Sequence, residues 1–215
     1  MARPREFDEK AVLEAASDIF WTKGYESTST RELSECTGLT PSSMYAAFGD
    51  KRRLFHRALE DYLLRLRTKM ARLAELASPG AAITGFFEDT IERSLEDPLH
   101  RGCMLMNSVL EVTSDDEQLR RLIGSDLTLI EDFFRERFIE AQGKGEVSKD
   151  FSAGDASQQL LAVLVGVRVL ARARPERSLL TAAIAQTLRL FGLPSVASDA
   201  PTAVPGALPT SGDQK

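Results

Sequence analysis

Cysteine, histidine and long apolar runs are the scarce materials of this 215-residue chain: two cysteines, two histidines and a single tryptophan. Cys36 and Cys103 are too few and too far apart for a disulfide framework. With only His56 and His100 beside them, they assemble no zinc cluster, so neither a metal site nor a cofactor is expected. The longest uncharged apolar run, Leu160 to Val167, stops at Arg168, far short of the ~20 residues of a membrane span. Behind the charged start Met1-Ala2-Arg3-Pro4-Arg5-Glu6-Phe7 no apolar stretch follows that reads as a secretory signal, so the expected compartment is the cytoplasm and no membrane partner is expected. A Gly-rich phosphate loop, a nucleophile-elbow serine and partnered histidines are missing too, which argues against an enzyme. Strand-period alternation is almost absent, and the expected fold class is all-α.

What is present is ordinary globular material, 43% hydrophobic and 27% charged, long enough for one or two domains with a proper core. The net charge of −5 argues mildly against nucleic acid until it is divided. Residues 1–72 hold 13 basic and 11 acidic side chains, and the remainder holds 14 and 21. An acidic body does not forbid a basic foot, because binding responds to the local potential.

Helical signals run along the whole chain. Phe7 to Lys23 is amphipathic, with Asp8 as N-cap and Phe7 and Val12 placed for a hydrophobic staple. Ser29-Thr30-Arg31-Glu32 is a capping box opening a short helix that stops at Thr37-Gly38. Thr40 opens another with Pro41 at the first position, and Gly49 ends it. Asp50 opens a fourth, running to about residue 77 on Leu54, Phe55, Ala58, Leu59, Tyr62 and Leu66. After a boundary at Ser78-Pro79-Gly80 come Ile83 to Glu96, Cys103 to Val112, Asp115 to Gln142, Asp155 to Arg174 and Ser178 to Phe191. That makes about nine helices, followed over 194–215 by a tail whose Pro, Ala, Ser and Gly content reads as disordered.

Two short helices joined at Thr37-Gly38-Leu39 match a helix-turn-helix, whose second helix enters a DNA major groove. That helix begins Thr40-Pro41-Ser42-Ser43-Met44-Tyr45, with small hydroxyls and a tyrosine outward and Met44 and Phe48 inward. The next one starts against its own dipole. Lys51, Arg52 and Arg53 fill a first turn that already carries about half a positive charge, and Arg57 follows. Such a broken local rule marks a functional site, and a bound phosphate removes the conflict. The alternative is a solvated basic turn without a ligand.

These residues carry a family resemblance. Gly24-Tyr25, Thr28-Ser29-Thr30-Arg31-Glu32-Leu33, Gly38-Leu39-Thr40, Met44-Tyr45-Ala46-Ala47-Phe48-Gly49-Asp50-Lys51 and Leu54-Phe55 resemble the N-terminal domain of the TetR/AcrR family of bacterial regulators. The specific motif covers about residues 8–60. The resemblance implies an Ω-shaped homodimer: a three-helix DNA-binding domain over 1–52, the fourth helix as connector, and an effector-binding, dimerising domain over 53–193. It implies a repressor on a palindromic operator, released by an unidentified small molecule. It further implies phosphate contacts at Tyr45 and Lys51, backbone contacts at Thr40 and Ser43, a base contact from Arg31 and groove-facing Pro41, Ser42 and Ala46. Ser29 and Thr30 complete this expected DNA-binding set. Alanines at 46 and 47, where relatives often carry larger side chains, leave direct readout sparse and shift weight to Arg31 and DNA shape. The Arg3-Pro4-Arg5 arm is either unbound or a minor-groove reader.

In the second half, residues 155–174 are apolar around the whole circumference, so every side needs covering. The economical arrangement gives one side to the chain's own core and the other to a twin, with residues 178–191 as the companion helix. The expected dimer contacts are Leu161, Leu164, Val165, Arg168, Ile184 and Leu188; a wholly intrachain core helix is the alternative. Phe86, Phe87, Cys103, Met106, Asn107, Val109, Leu127, Ile130 and Phe134 lie on helices that surround the effector cavity in the family, although such stripes also read as plain core. Cys103, beside Arg101 at a helix start, stands where a thiol becomes reactive, and oxidant or electrophile sensing is the alternative mode of control. A helical adaptor or enzyme domain without DNA binding is the remaining alternative.

Overall fold

A computed structural model describes residues 7–76, 78–111 and 116–196. Among these residues there are nine α-helices and no strand: α1 (Glu9–Lys23), α2 (Thr30–Thr37), α3 (Pro41–Phe48), α4 (Lys51–Ala74), α5 (Pro79–Glu96), α6 (Met104–Glu111), α7 (Glu117–Gly143), α8 (Ala153–Ala173) and α9 (Arg177–Phe191).

The first four starts are set by side-chain caps. Asp8 accepts from the Lys10 and Ala11 N–H groups, and Thr40 accepts from the Ser43 N–H with Pro41 following it. Ser29 and Glu32 close a reciprocal capping box, and Asp50 accepts from the Arg53 N–H at 2.8 Å. Gly38, at φ 69°, adopts the left-handed conformation that ends α2 and turns the chain into α3. Eight-residue helices are not stable alone in water. Here Leu33 of α2 and Met44 and Phe48 of α3 are buried with Val12, Ala16 and Phe20 of α1 and Leu54, Phe55 and Ala58 of α4. Packing, not propensity, holds the reading head.

The rest of the chain is a helical body through which α4 continues. Its centre is a phenylalanine cluster. The Phe134 ring lies 5.2 Å from that of Phe86, 5.6 Å from Phe87 and 5.7 Å from Phe133, between α5 and α7. Several boundaries differ from the sequence reading. The expected break at Ser78-Pro79-Gly80 is the start of α5: Ser78 accepts from the Ala81 N–H, and Pro79 occupies the first position, where its missing N–H costs nothing. The expected tail begins no earlier than residue 197, since Leu193 and Val196 are buried and the Pro194 carbonyl accepts from Thr84. Residues 197–215, the Arg3-Pro4-Arg5 arm, Ala77, Val112 and Asp115 lie outside the described residues.

By length and composition α8 is the one described helix apolar enough to cross a membrane. It packs against α7 and α9 and is two-faced. Ala156, Leu160, Leu164, Val167 and Ala171 are buried in the chain's own core, whereas Val169 is 54% exposed and Ala162 and Gly166 share that outer side. Four of the six expected dimer contacts are therefore corrected. Leu164, Ile184 and Leu188 are fully inside the chain, and Arg168 turns inward towards Thr90 and Ser94. Only Leu161 and Val165 stand half-buried at the border of the outer face. A uniformly apolar helix gives no sequence signal for which side the core takes.

Candidate nucleic-acid interface

α2 and α3 present one continuous exposed face. Pro41, Ser42, Ser43, Tyr45 and Ala46 are exposed on α3, along with its cap Thr40, while Met44 and Phe48 point away from solvent. The Thr30 and Tyr45 hydroxyls lie 2.8 Å apart, pinning the start of α2 to the middle of α3. Ser29 is occupied with its cap. Arg31 stands one residue beyond Thr30 with 88% of its side chain exposed, held only by an i,i+4 pair to Glu35 at 2.8 Å. Such exposed pairs are worth little, so the guanidinium is free to exchange partners. Thr40, Ser42 and Ser43 hydroxyls interlink at 3.0 Å at the tip of α3.

The basic turn at the start of α4 is resolved differently from the sequence expectation. Three of its four cations have carboxylate partners within the chain: Arg52 with Asp116 at 2.5 Å, Arg53 with Asp50 at 4.0 Å, and Arg57 with Glu9. Folding itself thus relieves most of the conflict with the helix dipole, without a phosphate. Lys51 is different. Its ammonium sits 4.4 Å above the Tyr25 ring and 3.4 Å from the Glu26 carbonyl, and it has no carboxylate partner among the described residues. Tyr25, tilted against Phe20 and Phe55, is the support that positions it. Of the four cations of this turn, Lys51 is the one without a carboxylate partner among the described residues, and it is aimed from a helix N-terminus.

The head is tied to the body by polar contacts between residues distant in sequence. Asp116 caps α7 while pairing with Arg52, and His56, for which the sequence offered no partner, lies 3.7 Å from the same carboxylate. Burial works against that carboxyl's charge, but the Leu119 N–H and Arg52 outweigh it and hold it below the usual aspartate range. The Tyr25 N–H donates to Glu111 of α6 at 2.6 Å. Arg101 lies over the Trp21 ring and reaches Asp18 at 3.1 Å and Asp97 at 3.2 Å. Occupied in this way, Arg101 is not turned on Cys103, which is buried with its Sγ 3.4 Å from the Tyr62 hydroxyl.

Residues 12–58 match the bacterial regulatory proteins of the tetR family, and residues 79–187 match the tetracyclin repressor-like C-terminal domain. The chain belongs to the TetR family. It is 27% identical over 191 residues to the HTH-type transcriptional repressor ComR of Escherichia coli (strain K12), covering 88% of this chain and 91% of ComR. It is 33% identical over 153 residues to the HTH-type transcriptional regulator YezE of Bacillus subtilis (strain 168), covering 69% and 77%. Among solved structures, a cysteine mutant of the TetR family regulator CifR complexed with 26-bp operator DNA superposes with a TM-score of 0.79 at 31% identity, covering 88% of this chain and all of that one. This TetR-family chain is a DNA-binding transcriptional regulator, not an enzyme.

In this TetR-family head the Thr30–Tyr45 contact brings the start of α2 to the exposed residues of α3, but the residues that hold the expected set were not singled out from sequence. Glu35, Asp116 and Glu111 had no local motif to mark them, and the latter two are distant partners. Of the expected effector residues, Phe86, Phe87 and Phe134 meet in the ring cluster, and the set as a whole differs in exposure. Phe86, Phe87, Cys103, Met106, Ile130 and Phe134 are buried, Asn107 and Leu127 are half-buried, and Val109 is 40% exposed and faces outward. None lines either of two described clefts: one of about 430 Å³ between α1 and Arg101, and one of about 290 Å³ between α4 and α7.

The α2 cap has an acid signature. Lys23, with the Ser29 N–H and hydroxyl, draws the Glu32 carboxyl down to about 2 from its usual 4.5. A depressed folded value stabilises the fold above the ordinary glutamate range and loses that contribution as pH falls towards 2. Glu32→Gln keeps an acceptor for the cap but nothing to titrate. Its unfolding free energy, followed by urea titration from pH 5 downward, is expected to fall less steeply than that of the parent.

Proposed function

We propose that the chain is a homodimeric repressor that grips a palindromic operator and releases it when a small molecule enters its body. One observation carries the reading: the exposed side of α3 bears only small hydroxyl, proline, alanine and tyrosine side chains, fastened by Thr30–Tyr45 beside Arg31 and flanked by Lys51. A DNA groove accepts that shape and charge. On this reading Tyr45 and Lys51 hold phosphates, and Thr40 and Ser43 meet backbone oxygens. Arg31 leaves Glu35 for a guanine edge, and Pro41, Ser42 and Ala46 line the groove. Residues 1–52 are the reading domain, α4 the connector and 53–193 the sensing and dimerising domain. The repressor ComR and the operator-bound CifR support this reading. A regulator with a DNA partner works in the cytoplasm.

The test is a gel shift on the DNA flanking the chain's own gene at two salt concentrations. Lys51→Ala is expected to weaken binding to all sequences alike and to flatten the salt slope by about one. Arg31→Ala is expected to cost about 1–3 kcal/mol at one operator position only, relaxing the base preference there. Unchanged selectivity in the Arg31 variant removes its assigned role.

The dimer face that fits the packing is the outer side of α8 and α9, with Leu161, Ala162, Val165, Gly166 and Val169 on the one and Leu190, 60% exposed, on the other. A two-fold about this face sets two α3 helices about 34–36 Å apart, one DNA turn. Val169→Asp is expected to shift the sedimentation equilibrium towards monomer and to abolish two-site operator binding with little loss of monomer fold. Release follows from linkage. An effector that binds the body tightly only in the wrong head spacing shifts the population away from DNA, with coupling of typically about 1–3 kcal/mol. The Arg52–Asp116 and Tyr25–Glu111 contacts are the levers through which α4, α6 and α7 move the head. Thiol control through Cys103 is not favoured, since the sulfur is buried and Arg101 is engaged elsewhere.

A further inference from the structure

The interior of the body holds a buried cation with no carboxylate counter-ion among the described residues. Arg168 of α8 is only 9% exposed. Its described contacts are to two hydroxyls of α5, Ser94 at 3.5 Å and Thr90 at 3.4 Å, longer than good hydrogen bonds, and no carboxylate pairs with it among the described residues. Guanidinium cannot shed its proton to escape this position. One turn nearer the start of α5, Lys69 of α4 reaches inward over the Phe86 ring at 4.1 Å and pairs with Asp89 at 2.7 Å. Phe86, Thr90 and Ser94 repeat every four residues, so the two cations lie along one face of α5. Arg168 is near enough to act on both the Lys69 ammonium and the Tyr62 phenol. Burial pushes Lys69 down to about 8; the Asp89 contact opposes this, and repulsion from Arg168 adds to it. Burial likewise pushes the Tyr62 phenol up, leaving it a neutral hydroxyl at the mouth of α6.

We infer that Arg168, with Thr90, Ser94 and Tyr62 around it, is the anchor for the carboxylate of a small organic acid with an apolar tail. The inference rests on the reading of the body as an effector sensor and names the class of effector. Asp89 is shared between Lys69 and the exposed Arg93, so no carboxylate of this cluster is left for Arg168, and its buried charge calls for an anion. The planar guanidinium fork matches a carboxylate in bidentate geometry. The surroundings are apolar and closely packed, with Phe86 and Met104 1% exposed, so a tail is admitted by repacking of the methionine and not by an open cavity. A buried charge left unpaired in the free protein is costly, and binding sites are where such a cost is tolerated.

The experiment is thermal unfolding of the full chain with millimolar octanoate as probe, against octanamide and inorganic phosphate. Octanoate is expected to raise the Tm by several degrees, and the uncharged amide and phosphate are not. Arg168→Met removes the unpaired charge; it is expected to melt at or above the parent temperature and to lose the octanoate response. Arg168→Gln, which can still bond Thr90 and Ser94, is expected to lose the response as well. The inference is overturned if carboxylates from acetate to decanoate leave the parent unmoved, if octanamide or phosphate acts like octanoate, or if both Arg168 variants keep the response. Operator binding is measured in parallel by gel shift. A chain that binds its operator and ignores carboxylates rejects this inference alone; one that binds no operator rejects the reading beneath it.

Discussion

Phe134→Ala is expected to lower the unfolding free energy by about 3–5 kcal/mol, the cost of emptying a phenylalanine-sized core site. The ring is completely buried and lies against Phe86, Phe87 and Phe133, so no solvent-facing group can swing in to fill the gap. Against a total of typically about 5–15 kcal/mol, the loss is a large share of what keeps the body folded. Urea denaturation followed by far-UV circular dichroism checks it, with Leu64→Ala on the exposed side of α4 as a control expected to change stability by less than about 0.5 kcal/mol. A cost below about 1 kcal/mol for Phe134→Ala would mean that the α5–α7 interface collapses freely.

Arg67→Met should have the next largest effect. Asp126 of α7 is 1% exposed and receives two bonds from the Arg67 guanidinium, at 2.9 and 2.7 Å. Without Arg67, its charge is stranded inside. Fully buried pairs broken in this way cost about 3–5 kcal/mol; because Arg67 keeps 42% of its side chain in water, about 2–3 kcal/mol is expected here. The second substitution decides the cause. Adding Asp126→Leu is expected to recover most of the loss, since the stranded charge and not the missing attraction is the main cost. If the double variant stays as unstable as the single, the pair contributes by attraction instead. This clamp joins α4 to α7, the two helices that meet the head at Arg52 and Asp116. The single variant is therefore also expected to loosen operator binding in the gel shift.

The parts legible in sequence are those governed by near neighbours. Caps at Asp8, Ser29, Thr40 and Asp50 each involve a side chain and an N–H two or three residues away, so a short string of letters specifies them. The same holds for the inward placing of Met44 and Phe48, which helical spacing dictates. Ser78-Pro79-Gly80 does separate α4 from α5, but α5 opens at Pro79 and not at the expected Ile83, because proline is welcome at a first turn.

The chain's order of residues was enough to establish the helical class, the reading head with its exposed face, and the membership that these imply, because those features arise from spacing over a few turns. Only the folded arrangement decided which cations are spent. Asp116 and Glu9 come from far along the chain to neutralise Arg52 and Arg57, leaving Lys51 available and Arg168 stranded. It alone chose which side of α8 faces inward, since a helix apolar on every side has many equivalent rotations until α5, α7 and α9 close over one of them.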